Sequence, residues 1–176
     1  MNSIGHEFIA RSRYYLLEDF LPKVERGVEK LSDEQIWWRP NEQSNSIGNL
    51  VLHLCGNARQ WIVCGVGGAA DGRDRDAEFA QRDVIPREQL HSLLKRTLAD
   101  VDLTLAQLEA DRLLDRREIQ GVDVSVLEAI LHVVEHISMH AGQILMITKM
   151  LTNADLALYQ FDGSKAVPRW KTETAR

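Results

Sequence analysis

An all-α fold, a four-helix bundle with a long crossover between its second and third helices, is predicted by three features of the chain. Four long stretches repeat apolar residues at intervals of three and four, as a helix with one buried face requires. Helix-start chemistry stands before them or between them: Ser32 with Gln35, the run Ser44-Asn45-Ser46, and Ser125 with Glu128. No stretch alternates convincingly in the manner of a strand. The length, 176 residues, suits a single domain spanning residues 1–176 with a core of its own.

The first helix is expected from about Ser3 to Lys30, through Phe8, Ile9, Tyr15, Leu16, Phe20, Val24 and Val28. Pro22 lies inside it and predicts a kink, because proline lacks the backbone donor and crowds the preceding turn. Ser32 and Gln35 form a capping box for a short turn through Trp38, and Arg39-Pro40-Asn41 breaks the chain. The second helix follows from Ile47 to Val66. The stretch Gly65–Val84, rich in Gly, Asp and Arg, has no periodic apolar signal; connections this long in a compact bundle serve as lids or crossovers. Pro86 suits the first position of a third helix that continues to about Ala110. Residues 111–124 read as polar and irregular with a turn at Gly121. The fourth helix, Val126 to Leu151, starts at the Ser125–Glu128 capping box. From Thr152 onward the tail has scattered aromatics (Tyr159, Phe161, Trp170) and is expected to pack on the bundle surface or against a partner subunit.

Hydrophobic residues make up 44% and charged residues 27% of the chain, the balance of a globular domain. A net charge of −5 gives no electrostatic reason to bind nucleic acid. No apolar run reaches the roughly 18 residues of a membrane span, and the N-terminus lacks the apolar core of a signal peptide, so a cytoplasmic location is expected. Cys55 and Cys64 are nine residues apart on one helix and face roughly opposite sides. They cannot bridge each other, share no face with His53, and read as buried reduced thiols.

The chemistry concentrates in histidine. His132, His136 and His140 recur every four residues, one helical turn apart on one face. His136 shares its face with Ala129, Val133, Ile144 and Ile147, which points it at the core. A buried imidazole without a partner costs about 1–3 kcal/mol, so adjacent inward histidines call for hydrogen-bond partners or a shared metal. His53, in the second helix between Asn49 and Asn57, could complete a three-nitrogen site. His132 and His140 lie ~12 Å apart along the axis, too far to share one ion. The helix-borne pair is therefore His132/His136 or His136/His140, with Gly142 leaning the choice to the latter. Neutral imidazoles accept Zn, Ni, Fe or Mn, so ligand type leaves the metal open. His6 and His91 read as solvated or structural.

Three segments, WWRPN (37–41), NSIGNLVLHLCGNARQW (45–61) and VLEAILHVVEHISMHAGQILMITKML (126–151), resemble the DinB/YfiT-like superfamily, whose members are regarded as metalloenzymes. The resemblance spans nearly the whole chain. Its most specific parts are a second-helix histidine followed eight residues later by Trp61, and H-x-x-x-H-x-G-Q in the fourth helix. It implies a DinB-like four-helix bundle with a crossover between helices 2 and 3, homodimers, and a divalent-metal triad at His53, His136 and His140, with His132 outside it. It also implies an activity in which a low-molecular-weight thiol (bacillithiol, mycothiol or glutathione) is transferred or used in isomerisation.

Three functions are compatible with such a triad. The favoured one is a metal-dependent, thiol-dependent S-transferase or isomerase acting on a small molecule, with Asn57, Gln60 and Gln143 near the ligand faces as candidates to orient substrate. A metal-dependent hydrolase is the alternative, although no well-placed carboxylate is evident; Glu135 stands about 100° round the helix from His136 and reads as solvated. A non-catalytic, dimeric metal-binding protein is the third. Trp37 and Trp38 read as packing residues, Arg39 as a surface ion pair, and Arg73, Arg75 and Arg82 as balanced by Asp71, Asp74 and Asp76.

Overall fold

The computed structural model describes residues 4–173 and is all-α in its frame, with two small hairpins added. Helix α1 (Ile4–Tyr14) runs through a π-helical segment, Tyr15–Phe20, into α2 (Leu21–Glu29). The expected start at Ser3 lies outside the described residues. Pro22 accounts for the widened turn. It has no N–H for the Glu18 carbonyl four residues back, and its ring would collide with that oxygen. The chain opens instead, and the Leu21 N–H reaches five residues back to Leu16. The Glu18 carbonyl accepts the Trp170 indole N–H at 2.9 Å.

The short helix α3 (Asp33–Ile36) has the Ser32–Gln35 capping box. Trp37 then donates to the Ile85 carbonyl at 3.0 Å and lies flat on Gly48, where an added Cβ would come within 2.6 Å of the ring. Arg39 meets the backbone carbonyl of Glu42 rather than an acidic side chain. Helix α4 (Ile47–Ala58) opens with a capping box between Ser46 and Asn49 and passes into a second π-helical segment, Arg59–Val66.

The crossover is not structureless as its composition suggested. It contains α5 (Arg75–Ala80), capped by the Asp74 side chain, which accepts from the Ala77 N–H. Helix α6 (Arg87–Ala106) follows, with Pro86 at its N-cap, and a 3-10 turn covers Ala110–Leu114. The irregular reading of 111–124 is also corrected. Strands β1 (Arg116–Ile119) and β2 (Val122–Ser125) pair antiparallel around Gln120-Gly121, both with positive φ, the geometry of a tight hairpin turn. Ile119 turns inward, and Gly65 admits it: a Cβ on Gly65 would lie 2.4 Å from Ile119 Cδ1.

Helix α7 (Val126–Thr152) begins at the Ser125–Glu128 capping box and ends on left-handed Asn153. In the tail, β3 (Tyr159–Asp162) and β4 (Lys165–Pro168) form a second hairpin before α8 (Arg169–Glu173). This tail rests on the first helical run: besides the Trp170 bond, Lys171 donates to Tyr14 Oη at 2.9 Å.

The core lies where α2, α4, α6 and α7 meet, and Leu54, Ile62, Leu90, Leu98, Ile130, Ile137 and Ile144 are each less than 2% exposed. Each such side chain contributes about 1.5–3 kcal/mol of apolar burial. By length and composition α7 would also be long and apolar enough to cross a membrane, a property the short runs in the sequence did not suggest. Its Ala129, Ile130, Val133, Ile137, Ala141 and Ile144 belong to the core.

Candidate metal centre

Helix α4 and helix α7 pack side by side, and their facing sides bring His53, His136 and His140 together. His53 Nε2 is 3.1 Å from His136 Nε2, which is 3.2 Å from His140 Nε2. The ligand-capable nitrogens all lie within 4.8 Å of one another. Nitrogens sharing one ion at ~2.1 Å stand about 3.0–3.4 Å apart for angles between octahedral and tetrahedral. The two short separations fall in that range and the third pair lies within 4.8 Å, so the three rings could hold a divalent ion.

The outer nitrogens of two rings are engaged. His140 Nδ1 lies 2.7 Å from Gln143 Oε1, and His53 Nδ1 lies 3.0 Å from Glu78 Oε2. An Nδ1–H on each ring satisfies those acceptors and leaves Nε2 bare toward His136. His136 Nδ1 is buried without a partner. Burial, followed by the neighbouring imidazoles His140 and His53, pushes the His136 pKa down to about 3. Burial also lowers that of His53. These rings are held neutral near pH 7, the form in which imidazole binds a metal.

His132 stands apart from this cluster. Its ring lies 4.0 Å from that of Trp61 and its Nε2 is 3.1 Å from Asn57 Nδ2. It stacks on His136 at 5.4 Å. Asn57 Oδ1 and Trp61 Nε1, on either side of it, are buried without partners.

Of the three residues considered for substrate orientation, Gln60 lines a cavity at the crossover and Gln143 lines the one that His140 also borders. That cavity, about 620 Å³, is lined by Pro40, Leu50, Met139, Met146 and Ile147 with Ser44, Asn45 and Gln143, and His140 forms part of its wall. Asn57 is buried against His132. Gln60 is tied into the crossover, accepting from Arg73 Nη1 at 2.9 Å and donating to Asp71 at 2.6 Å. Glu135 is exposed, as expected.

Sequence reasoning missed Glu78 and Arg73. Arg73 donates to both oxygens of Glu78, from Nε at 2.7 Å and from Nη2 at 2.9 Å, and its side chain is only 4% exposed. Asn49 fastens the segment to α4 by donating to the carbonyls of Glu78 and Gln81. The unusual length of the crossover was the available signal; its alternating Arg and Asp residues concealed which of them turn inward.

The family described as "Protein of unknown function (DUF1572)" matches residues 3–161. The chain belongs to the DUF1572 family. No curated protein matches this DUF1572 chain in sequence. Among solved structures, a conserved protein from Enterococcus faecalis superposes with a TM-score of 0.68 at 14% identity, covering 82% of this chain and 97% of its own. A DinB-like protein from Bacillus cereus gives a TM-score of 0.58 at 15% identity, covering 77% and 92%. At such identities the likeness is one of fold. This DUF1572 protein therefore shares the DinB-like helical fold.

Proposed function

We propose that this protein is a metal-dependent enzyme whose divalent ion is held by His53, His136 and His140, and that it uses a low-molecular-weight thiol to transfer to, or isomerise, a small molecule. The convergence of three Nε2 atoms, at 3.1 and 3.2 Å, carries the reading. Three neutral imidazoles leave a divalent ion its full charge and an exchangeable position, which lowers the pKa of a bound protic group such as a thiol. Zn, Ni, Mn and Fe all suit such ligands.

The cavity beside His140 supports the thiol reading over hydrolysis. Among the described residues no carboxylate lines it, so a metal-bound water would have no carboxylate there to take its proton. A thiol, with an ordinary pKa near 8.5 against about 15.7 for water, would release its proton to solvent more readily on binding the metal. Gln143 is placed to hold the His140 ring and to offer its amide to a bound molecule, and the apolar wall suits an uncharged electrophile.

Elemental analysis should find one divalent ion per chain. An electrophile panel should then be consumed only when both metal and thiol are supplied. Consumption without thiol would establish the hydrolase instead, and bound metal with neither activity would establish a structural centre. The proposal includes a homodimer; light scattering should give twice the 20.0 kDa chain mass. A cytoplasmic setting is supported by two free, buried cysteines.

A further inference from the structure

The geometry points to Glu78 as the positioning residue for His53. Its carboxylate, clamped by Arg73, holds the ring with Nδ1–H toward the crossover and a bare Nε2 toward His136 and His140. The consequence for metal rests on the proposed triad; the orientation of the ring does not.

Three observations converge. First, Glu78 Oε2 lies 3.0 Å from His53 Nδ1, and the two side chains are only 10% and 7% exposed, so water does not compete for the contact. Second, the anionic carboxylate weights the proton toward Nδ1. Arg73 Nη2 is also near His53 Nδ1, at 3.1 Å, and keeps a second N–H that competes for that nitrogen, but its first N–H and that of Nε both serve Glu78, whose Oε2 lies closer to the ring. A bare Nδ1 would set its lone pair against a carboxylate oxygen. A protonated Nδ1 gives that oxygen a donor. Third, the carboxylate occupies space that a side chain on α4 would fill. A Cβ on Gly56, one turn after His53, would lie 1.8 Å from Glu78 Oε1 and 2.9 Å from Arg73 Nε. Phe79, the next residue of α5, packs on the His53 ring at 4.6 Å and restricts its rotation.

A carboxylate on the far nitrogen fixes the tautomer and raises the basicity of a ligating histidine; its loss costs about 10–100-fold in metal affinity. The crossover thereby supplies a part of the centre that neither bundle helix contains.

The test uses the whole chelator-treated protein and the variants Glu78→Ala, Glu78→Gln and Gly56→Ala. Two readouts are taken: histidine nitrogen NMR, which assigns the neutral tautomer of His53, and titration with zinc alone. Wild type should show His53 protonated at Nδ1. Glu78→Gln, which keeps an acceptor oxygen, should retain that form and stay within a few-fold in zinc affinity. Glu78→Ala should lose the preference and bind zinc about 10–100-fold more weakly. Gly56→Ala, which improves helix propensity but expels the carboxylate, should do the same and decides the matter if Glu78→Ala fails to fold. An unchanged His53 tautomer in the folded alanine variants overturns the inference. Absence of zinc binding by wild type would overturn the metal reading alone, because the tautomer is read without metal.

Discussion

His53 Nε2 and His136 Nε2 face each other across 3.1 Å, although 83 positions separate the two residues in the chain. Among the described residues, the further hydrogen-bonding group at these nitrogens is His140 Nε2, which approaches His136 to 3.2 Å. The three ring nitrogens share one small space, and burial lowers the pKa of His53 and His136, an arrangement that a divalent cation would stabilise.

Replacing any one of these three histidines with alanine should therefore abolish stoichiometric metal binding, measured by zinc titration and elemental analysis. His132→Ala should stay within a few-fold of wild type, because His132 is packed against Trp61 and bonded to Asn57 instead. Equal losses for His132→Ala and His140→Ala would refute this assignment of ligands.

Stability of the chelator-treated protein should fall with acid in a defined window. The His136 pKa is about 3 in the fold, against an ordinary value of 6.5, and burial lowers His53 and His132 in the same direction. Between those values the unfolded chain binds more protons than the native one, so stability decreases as pH falls from about 6.5 toward 3 and gains nothing from these groups above it. Guanidinium midpoints at pH 7.5, 6 and 5 should decrease in that order. The slope should be shallower for His136→Phe; a wild-type midpoint that is flat from 7.5 to 5 would contradict the prediction.

Gly65→Ala should destabilise by about 1–3 kcal/mol, the usual cost of overpacking, because its Cβ would meet Ile119 Cδ1 at 2.4 Å. Ile119→Ala should also destabilise alone, since that side chain is 3% exposed. Combined, the two should cost less than their sum, which denaturant melts of the double-mutant cycle will show. Strict additivity would mean that the hairpin does not depend on this contact.

Neither cysteine should react readily in the native protein. Burial pushes the Cys55 thiol up to about 12 and raises that of Cys64 as well. Against an ordinary value of 9.0, a value of about 12 reduces the Cys55 thiolate roughly a thousandfold at neutral pH. Iodoacetamide followed by mass spectrometry should find both sites labelled only after unfolding; rapid native labelling of Cys55 would exclude the packing described.

The frame of the bundle was legible because its long helices are amphipathic and begin with side-chain caps: Ser46, Ser125 and Ser32 all act as read. The four-residue spacing of His136 and His140 and the inward position of His53 were legible for the same periodic reason. Less visible were the hairpins, whose four-residue strands are held by local pairing around Gly121 and Gly163 rather than by an alternating apolar face. The widened turn before Pro22 was expected only as a kink. Glu78 and Arg73 were hidden because burying a charged pair depends on what packs over it, and neither periodicity nor charge balance along 65–84 records that.

The two hydrogen-bonded sides of His53 differ in how far along the chain they reach. Its contact with Glu78 closes 25 residues, while that with His136 closes 83. Loop closure over the shorter span costs less entropy. The His53–Glu78–Arg73 half of the centre can thus assemble within one continuous third of the polypeptide, ahead of the docking of α7. Coordination by all three rings requires that last, non-local step, so the appearance of a tight metal site during refolding would time the arrival of α7 and mark completion of the bundle.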